Sequence, residues 1–323
     1  MGRLISEKYA AWQAECEERF QQLKKNEEDL NRIFIDIYGL QDELTPDVAD
    51  KDVTVHRVFN SKDDVPESMK GSNYVRTMRD EIVSLISYAV GCMFGRYSLD
   101  VEGLAYAGGE WDGSKYKTFL PDEDNCIPVT DEEYFKDDIV GRFVEFVRTV
   151  YGSDTLEENL DFVANALAGK GSTSREVIRN YFLNDFIKDH IKTYQKRPIY
   201  WMFDSGKQNG FKALVYMHRW NADTTGNVRV EYLHRVQRVY ESEIARMQDT
   251  IDNSSNAREV SAAQKRKDKL TKQLKESKDY DAKIAHLALS RIDIDLDDGV
   301  KVNYEKVQTG QDGKKIEILA PIK

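Results

Sequence analysis

Two runs of apolar residues at helical spacing, separated by one short polar loop, constrain the fold of this chain more than any other feature. Between residues 228 and 251 the apolar positions alternate spacings of three and four, and the same spacing continues from Val260 to Leu287. Such spacing predicts amphipathic helices, and the polar loop at 252–257 is short enough to reverse the chain. The sequence therefore predicts an antiparallel helical hairpin at 228–289, long enough to project from the body of the protein.

A second stretch with helical periodicity lies near the start of the sequence. Apolar residues recur every three or four positions from Tyr9 to Ile37, with polar and charged residues between them. This pattern predicts a long amphipathic helix, and Gly39 stands where a left-handed helix cap is expected. Residues 46–72 are expected to form a largely irregular connector. An almost wholly apolar run then predicts a core helix from about 74 to 97.

Three threonines, each followed three residues later by a glutamate, predict the starts of three further helices. In such a capping box the hydroxyl and the carboxylate each satisfy a backbone N–H group that lacks a helical partner. The pairs are Thr130/Glu133, Thr155/Glu158 and Thr173/Glu176. They predict helices at about 131–151, 156–168 and 174–193, after a long loop at 98–129 that contains short strands.

Aromatic and β-branched residues on either side of a turn sequence predict a β-hairpin. The strands are expected at 199–203 and 211–218, with the turn DSGKQNG between them. The expected fold class is α+β and predominantly α-helical, with a helical body, a small antiparallel β-hairpin sheet and a protruding antiparallel helical hairpin. The expected domains are the N-terminal helix at 1–45, the connector at 46–72, the body with the β-hairpin at 73–220, and the helical hairpin with a strand-like C-terminal tail at 221–323.

The overall charge of the chain is acidic, with a formal net charge of −10. This balance excludes a uniformly basic nucleic-acid-binding protein, although it permits a local basic face. The three cysteines (Cys16, Cys92 and Cys126) are far apart and have no CxxC spacing, as expected in a reducing cytosol. The longest apolar stretch, at 85–94, is about half the length of a membrane span. The chain is therefore expected in the cytoplasm, with no membrane partner.

The sequence contains no recognisable motif for catalysis, cofactor binding or metal binding. The glycine-rich segments at 108–115 and 168–172 lack the residue order of a phosphate-binding loop, and the acidic run at 293–299 lacks the glycine and glutamate of a calcium loop. The five histidines are scattered without zinc-ligand spacing. Methylation of adenine needs an Asn/Asp-Pro-Pro-aromatic loop, and no Pro-Pro pair occurs. We expect no catalytic residue, no cofactor and no metal in this chain.

One basic segment contrasts with the acidic remainder. Residues 188–219 hold seven lysines and arginines against Asp189 and Asp204, a local net charge of +5, interleaved with aromatic residues. Basic side chains beside a hairpin turn suit contacts with DNA phosphates. The candidate DNA contacts are Lys196, Arg197, Ser205, Lys207, Lys212 and Arg219. The alternative is that the aromatic residues belong to the core and the lysines are merely solvated.

The same segment resembles a known family. Residues 178–220, which read IRNYFLNDFIKDHIKTYQKRPIYWMFDSGKQNGFKALVYMHRW, resemble the C-terminal region of PglX-type adenine-specific DNA methyltransferases from phage-exclusion (BREX) systems. Residues 30–46, LNRIFIDIYGLQDELTP, resemble the helix and Tyr-Gly-Leu turn near the end of that enzyme class. The segments 86–111, 137–147 and 294–304 fit the same family. The resemblance thus covers nearly the whole chain.

The resemblance implies an indirect role in methylation. The family methylates adenine in host DNA with S-adenosylmethionine, and its methyl-donor pocket and catalytic loop lie upstream of the matching region. The chain is accordingly expected to be a cloned fragment or the product of a truncated gene: a DNA-engaging accessory region of a restriction–modification-like phage-defence enzyme, not itself an enzyme. The expected partners are double-stranded DNA, the missing methyltransferase domain and other phage-exclusion proteins. The alternative is an interaction scaffold, in which the helical hairpin docks those proteins or the catalytic domain.

Overall fold

A computed structural model describes residues 3–322 of the chain. The chain forms two compact units, one from Met1–Ile86 with Val147–Ala168, the other from Ser87–Phe146 with Gly169–Lys323. Each unit is therefore built from two separate stretches of sequence, whereas the domain scheme predicted from the sequence is linear. That linear scheme stays a prediction, and the expected fold class, α+β and predominantly α-helical, is confirmed.

The elements follow one another along the chain as follows. The helices are α1 (Ile5–Tyr38), α2 (Met78–Met93), α3 (Ile139–Tyr151), α4 (Leu156–Leu167), α5 (Ser174–Asn184), α6 (Phe186–Thr193), α7 (Thr224–Asn227), α8 (His234–Asn253), α9 (Ala257–Ser290) and α10 (Val300–Lys306). The strands are β1 (Arg57–Phe59), β2 (Val75–Thr77), β3 (Ile127–Pro128), β4 (Tyr200–Asp204) and β5 (Lys212–Tyr216). No helix in residues 3–322 is both long enough and apolar enough to cross a membrane.

The first unit is organised around the long helix α1, as the periodicity predicts. Tyr9 and Phe20 are buried on its inner face, and the Tyr9 hydroxyl donates a hydrogen bond to the carbonyl of Phe59 at 3.2 Å. Gly39 adopts the expected left-handed conformation (φ 67°), and the Leu40 N–H then donates to the carbonyl of Ile35. The prediction of an irregular connector missed the strand β1, which pairs in parallel with β2. The predicted helix at 74–97 is likewise shorter, because β2 occupies its first residues.

The predicted start of α3 is wrong by eight residues, because an aspartate and not a threonine caps it. Asp138 is fully buried, and its Oδ1 accepts hydrogen bonds from the N–H groups of Val140 (3.0 Å) and Gly141 (3.3 Å). The hydroxyl of Thr130 instead donates to the carbonyl of Glu132. The helix therefore begins at Ile139 and not at 131.

The other two capping pairs predict the right helix starts, but only Thr173 acts as a side-chain cap. Its hydroxyl accepts the Glu176 N–H at 3.2 Å. Thr155 makes no such cap bond, and its hydroxyl donates to the carbonyl of Tyr151. The single helix predicted at 174–193 is wrong, since a non-helical Asp185 (φ −125°) divides it into α5 and α6.

The β-hairpin is confirmed, and a third strand and the C-terminal segment extend it. Strands β4 and β5 pair antiparallel, β3 pairs with β5, and the order is β3-β5-β4. The outer edge of β4 is covered, because the Asp204 N–H donates to the carbonyl of Ile318 (3.1 Å) and the Ala320 N–H donates to that of Met202 (2.8 Å). All residues of β5 are buried, including its one aromatic residue, Tyr216.

The antiparallel helical hairpin is formed by α8 and α9, which follow α7 and a π-helical turn at Val228–Leu233. Asn256 caps α9 by accepting the Arg258 N–H at 3.0 Å. The helical pair is anchored to the sheet, since the Tyr280 hydroxyl donates to the carbonyl of Ile318 at 2.6 Å. The strand-like tail predicted after 291 is wrong in part, because α10 lies within it.

Candidate nucleic-acid interface

The β-hairpin separates the six predicted DNA contacts into two groups. Lys196 and Arg197 precede β4 and are exposed, whereas Ser205 and Lys207 lie in the turn at the opposite end of that strand. A five-residue strand spans about 17 Å, so the two groups do not form one cluster. The sequence segment that appears as one basic patch is thus two places on the surface.

Two of the six candidates have their cationic groups engaged within the protein. Lys212 is buried, and its Nζ donates to the carbonyl of Leu183 at 2.8 Å and lies 3.6 Å from Asp204 Oδ2. The guanidinium of Arg219 donates to the carbonyl of Asp122 at 2.7 Å and stacks 4.5 Å from the centre of the Trp111 ring. Burial lowers the pKa of Arg219 from its usual value. This geometry favours structural roles for both side chains.

A single glutamate on α9 holds the turn that carries Lys207. Glu276 accepts hydrogen bonds from Ser205 Oγ (2.8 Å) and from the backbone N–H groups of Gln208 (2.8 Å) and Gly210 (3.0 Å). Ser205 Oγ in turn accepts the Phe211 N–H at 2.7 Å. Ser205 therefore has a structural role in the turn. Lys207 is exposed on a turn that three hydrogen bonds to Glu276 hold in place.

We expect Glu276→Ala to loosen this turn without unfolding the protein. Its three donors would lose their acceptor, at a cost of about 1–3 kcal/mol to local stability. Amide hydrogen exchange at Gln208 and Gly210 should become faster than in the parent protein. Glu241→Ala provides the control, because within residues 3–322 Glu241 accepts only from the exposed Lys278 side chain and holds no turn. Unchanged exchange in Glu276→Ala would contradict the role given to this carboxylate.

Lys196 lies where two concavities in the second unit adjoin. The first has a volume of about 500 Å³ and is lined by α6, the residues after it and one residue of the C-terminal segment: Lys188, Ile191, Lys192, Gln195, Lys196 and Pro321. The second, of about 400 Å³, shares Lys196 and Pro321 and is completed by α10 and the C-terminal segment, including Lys301, Tyr304 and Lys315. A third, of about 600 Å³, shares Lys315 and adds Lys283, His286 and Lys314. We call these three concavities the lysine groove.

The charge of the lysine groove is strongly positive. Seven exposed lysines line it, against Glu305 and Glu317, which gives a net charge of +5 in a chain whose total is −10. Within residues 3–322, no carboxylate lies within ion-pair distance of Lys192, Lys196 or Lys301. Such side chains keep their full charge available to an external anion.

The position of Lys196 is fixed by an unusual backbone path. Gln195 (φ 49°) and Lys196 (φ 62°) both adopt left-handed conformations, which non-glycine residues adopt rarely. The Lys196 N–H donates to the carbonyl of Ile191 at 2.8 Å, and this bond closes the end of α6. The chain then turns sharply into β4. Lys188 and Lys192 are four residues apart on α6, so they lie on one face of the helix. Both line the same concavity as Lys196.

Four of the seven lysines of the groove lie outside the basic segment found in the sequence. Lys283 comes from α9, Lys301 from α10, and Lys314 and Lys315 from the C-terminal segment. The stretch that contains the last three, residues 300–323, has five lysines against three acidic residues, so its net charge of +2 is a weaker signal than the +5 of residues 188–219. The pairing of Ile318 and Ala320 with β4 helps to bring the C-terminal segment beside α6. No local sequence signal could have identified them.

The groove has the chemistry of anion binding. Its polar groups are mostly ammonium groups, which donate to phosphate or carboxylate oxygens. Across the described residues, no group of three or more histidine, cysteine, aspartate and glutamate side chains is arranged to hold a metal ion.

Comparison with known proteins gives two extensive similarities, while no protein-family model matches the chain. The adenine-specific methyltransferase PglX of Lacticaseibacillus casei (strain Zhang) is 48% identical over 318 residues, which is 98% of this chain and 24% of that protein. The adenine-specific methyltransferase BrxX of Escherichia coli O9:H4 (strain HS) is 39% identical over 319 residues, 94% of this chain and 26% of that protein. The chain spans about a quarter of the length of these relatives, and it matches PglX-type adenine-specific methyltransferases over nearly all of its own residues.

Proposed function

We propose that this chain acts as a DNA-engaging accessory region, from the C-terminal part of a PglX-type adenine-specific methyltransferase in the bacterial cytoplasm. The observation that carries the proposal is the lysine groove, whose net charge of +5 contrasts with the acidic remainder of the chain. In this proposal the groove binds the phosphate backbone of double-stranded DNA. Its contacts position the duplex and do not read its sequence.

Phosphate binding would use the lysines that have no internal partner. Each ammonium group that neutralises a phosphate releases condensed counterions, which is the main source of sequence-independent affinity for DNA. Lys192, Lys196 and Lys301 are exposed and line adjoining concavities, so they can contact successive phosphates. Arg197 and Lys207 are exposed as well and can extend the contact beyond the groove.

Methyl transfer itself is assigned to the other three quarters of the relatives' length. No Pro-Pro pair for an adenine-holding loop and no glycine-rich motif for a methyl donor occurs in this sequence. In the proposed division, S-adenosylmethionine and the target adenine are bound elsewhere in the polypeptide. The phage-defence role follows from the same relationship and belongs to the whole enzyme and its BREX partners.

The test is the salt dependence of DNA binding by the double variant Lys192→Gln/Lys196→Gln. We expect the slope of log affinity against log salt to become shallower by about 1.8, because two phosphate contacts are lost. Affinity at low salt should fall about tenfold or more. The measurement is fluorescence anisotropy with a labelled duplex, titrated at several salt concentrations with the complete 323-residue chain.

The matched control is Lys265→Gln/Lys272→Gln, which removes two exposed lysines from α9 away from the groove. It has the same change in net charge, so a general electrostatic effect would appear equally in both variants. Equal slopes for the two double variants would refute phosphate binding by the groove. The variant Arg197→Gln/Lys207→Gln then measures whether the contact extends to the two ends of β4.

A further inference from the structure

The C-terminal end of α1 carries an apolar surface that no other part of the described chain covers. It consists of six large side chains whose exposed fractions lie between 53% and 70%: Leu30, Ile33, Phe34, Ile37, Tyr38 and Leu44. We call this set the α1 apolar surface. Single exposed apolar residues are normal on proteins, whereas contiguous sets of large ones mark interaction sites.

The concentration of these residues is local and not a general property of the chain. Seventeen large apolar side chains are exposed in residues 3–322, and six of them fall within the fifteen positions 30–44. Earlier in the same helix, Tyr9, Cys16 and Phe20 are buried by the first unit. Between residues 30 and 38 of the same helix only Ile35 is buried among the apolar residues, and the others are exposed.

The spacing of the exposed residues at the end of α1 suits a partner helix or groove that packs along the helix axis. Positions 30, 33, 34, 37 and 38 follow one face of an α-helix through two turns, the pattern used at helix–helix contacts. The surface is also held in a defined shape. Asn31 Nδ2 donates to the carbonyl of Pro46 at 3.1 Å, and the Val48 N–H donates to Glu28 Oε1 at 3.3 Å, so the following segment returns along the helix.

The charges around the α1 apolar surface select against a second copy of this chain. Residues 27–44 contain six carboxylates and one arginine, a net charge of −5, and that arginine, Arg32, is already paired with Asp29 at 2.7 Å. A symmetric contact would bring these acidic rims together, and like charges across an interface are costly. The rim instead fits a partner whose own apolar patch is bordered by lysine and arginine.

We propose that the α1 apolar surface docks against the remainder of a PglX-type methyltransferase polypeptide, on an apolar patch with a basic border. This inference rests on the proposed function, since it takes the chain to work within such an enzyme. The relatives are about four times as long as the matched region, so a large covalently linked partner is always present at high effective concentration. The contact would hold the DNA-engaging region in a fixed place on the enzyme.

The test compares the same side chains in two settings by hydroxyl-radical footprinting. One sample is this chain alone, and the other is PglX of Lacticaseibacillus casei in which this chain replaces the matching 48%-identical region. Oxidation of Phe34 and Tyr38 should be roughly fivefold slower in the chimera, as for side chains moved from a half-exposed surface into an interface core. Leu289, exposed on α9, is the internal control and should react at the same rate in both samples.

A pair of variants supports the footprint with an independent readout. Phe34→Glu/Ile37→Glu should lower the thermal midpoint of the chimera while leaving that of the isolated chain unchanged, whereas Leu289→Glu should leave both unchanged. Equal oxidation rates in the two samples would overturn the proposal. Protection that appears in the isolated chain as its concentration rises would also overturn it, in favour of a second copy. If the chimera does not fold, native PglX and its own matching region are compared in the same way.

The outcomes separate this inference from the proposed function. Absence of protection at Phe34 and Tyr38, together with the expected salt dependence of DNA binding, would refute only the role of the α1 apolar surface. Loss of the salt-dependent DNA contact with an intact footprint would refute only the role of the lysine groove. The two measurements use different residues in different units, so neither result determines the other.

Discussion

Replacement of Arg179 by methionine is expected to lower the free energy of unfolding by about 3–5 kcal/mol. Arg179 forms a two-point ion pair with Asp138, with Nη1 2.7 Å from Oδ2 and Nη2 2.8 Å from Oδ1, and its Nη1 also donates to the carbonyl of Thr130. The carboxylate is fully buried. Methionine retains most of the volume but none of the charge, so it leaves an uncompensated buried anion.

Denaturant unfolding measures this effect, and two further variants identify its cause. Arg246→Met removes an exposed arginine that pairs with Glu243, and it should cost far less, because solvent screens an exposed ion pair. Asp138→Asn combined with Arg179→Met removes the buried charge but keeps a side chain able to cap α3, so it should recover part of the loss. A cost for Arg179→Met no larger than that for Arg246→Met would show that the ion pair contributes little.

Substitution of His190 by glutamine is expected to make the protein less sensitive to acid. The imidazole is buried, and its Nε2 accepts two backbone hydrogen bonds, from the N–H groups of Ile199 and Tyr200, each at 3.1 Å. Burial, with a smaller contribution from the nearby Arg96, lowers the pKa of His190 to about 3. The neutral ring thus fixes the backbone at the start of β4.

The direction of the effect follows from proton binding in the two states. Below pH 6.5 the unfolded chain protonates this imidazole, whereas the folded protein keeps it neutral down to about pH 3. The unfolded state therefore binds more protons, and stability falls as the pH falls through this interval. Between pH 6.5 and 4 the loss attributable to His190 is about 3 kcal/mol. A glutamine oxygen can accept the same two bonds without titrating.

The measurement is the free energy of unfolding at several pH values between about 7 and 4, for the parent chain and for His190→Gln. Asp122 acts in the opposite direction. Burial and the neighbouring Asp124 raise its pKa to about 8, so its contribution to the free energy of unfolding decreases as the pH rises. Asp122 is present in both proteins, and the difference between their pH profiles therefore isolates His190. Parallel profiles would refute the assignment.

Much of the fold could be predicted from the sequence because helical periodicity and turn residues act locally. The helical hairpin, the β-hairpin and the left-handed cap at Gly39 follow from short patterns whose physical cause lies within a few residues. The errors have long-range causes. Asp138 caps α3 in place of Thr130 because Arg179, forty-one positions away, compensates its buried charge. Sequence spacing alone gives no indication of that partner.

The candidate interface could be predicted only in part, for a related reason. Net charge along the sequence singles out Lys196 and Arg197 as candidate contacts, but it cannot distinguish them from Lys212. The ammonium group of Lys212 is buried and donates to the carbonyl of Leu183. The lysines contributed by α10 and the C-terminal segment lie in a stretch, residues 300–323, whose net charge is only +2. A groove assembled from separate elements is a property of the tertiary structure.

The pairing of the C-terminal segment with β4 has a consequence beyond the groove. An open strand at the border of a sheet presents unsatisfied N–H and C=O groups, which can recruit strands from other molecules and begin aggregation. Strand β4 is apolar and aromatic, reading YWMFD, and would be a strong template if it were bare. Ile318 and Ala320 occupy those main-chain groups. The C-terminal segment thus shields β4 from pairing with strands of other molecules, and it also brings two lysines to the lysine groove.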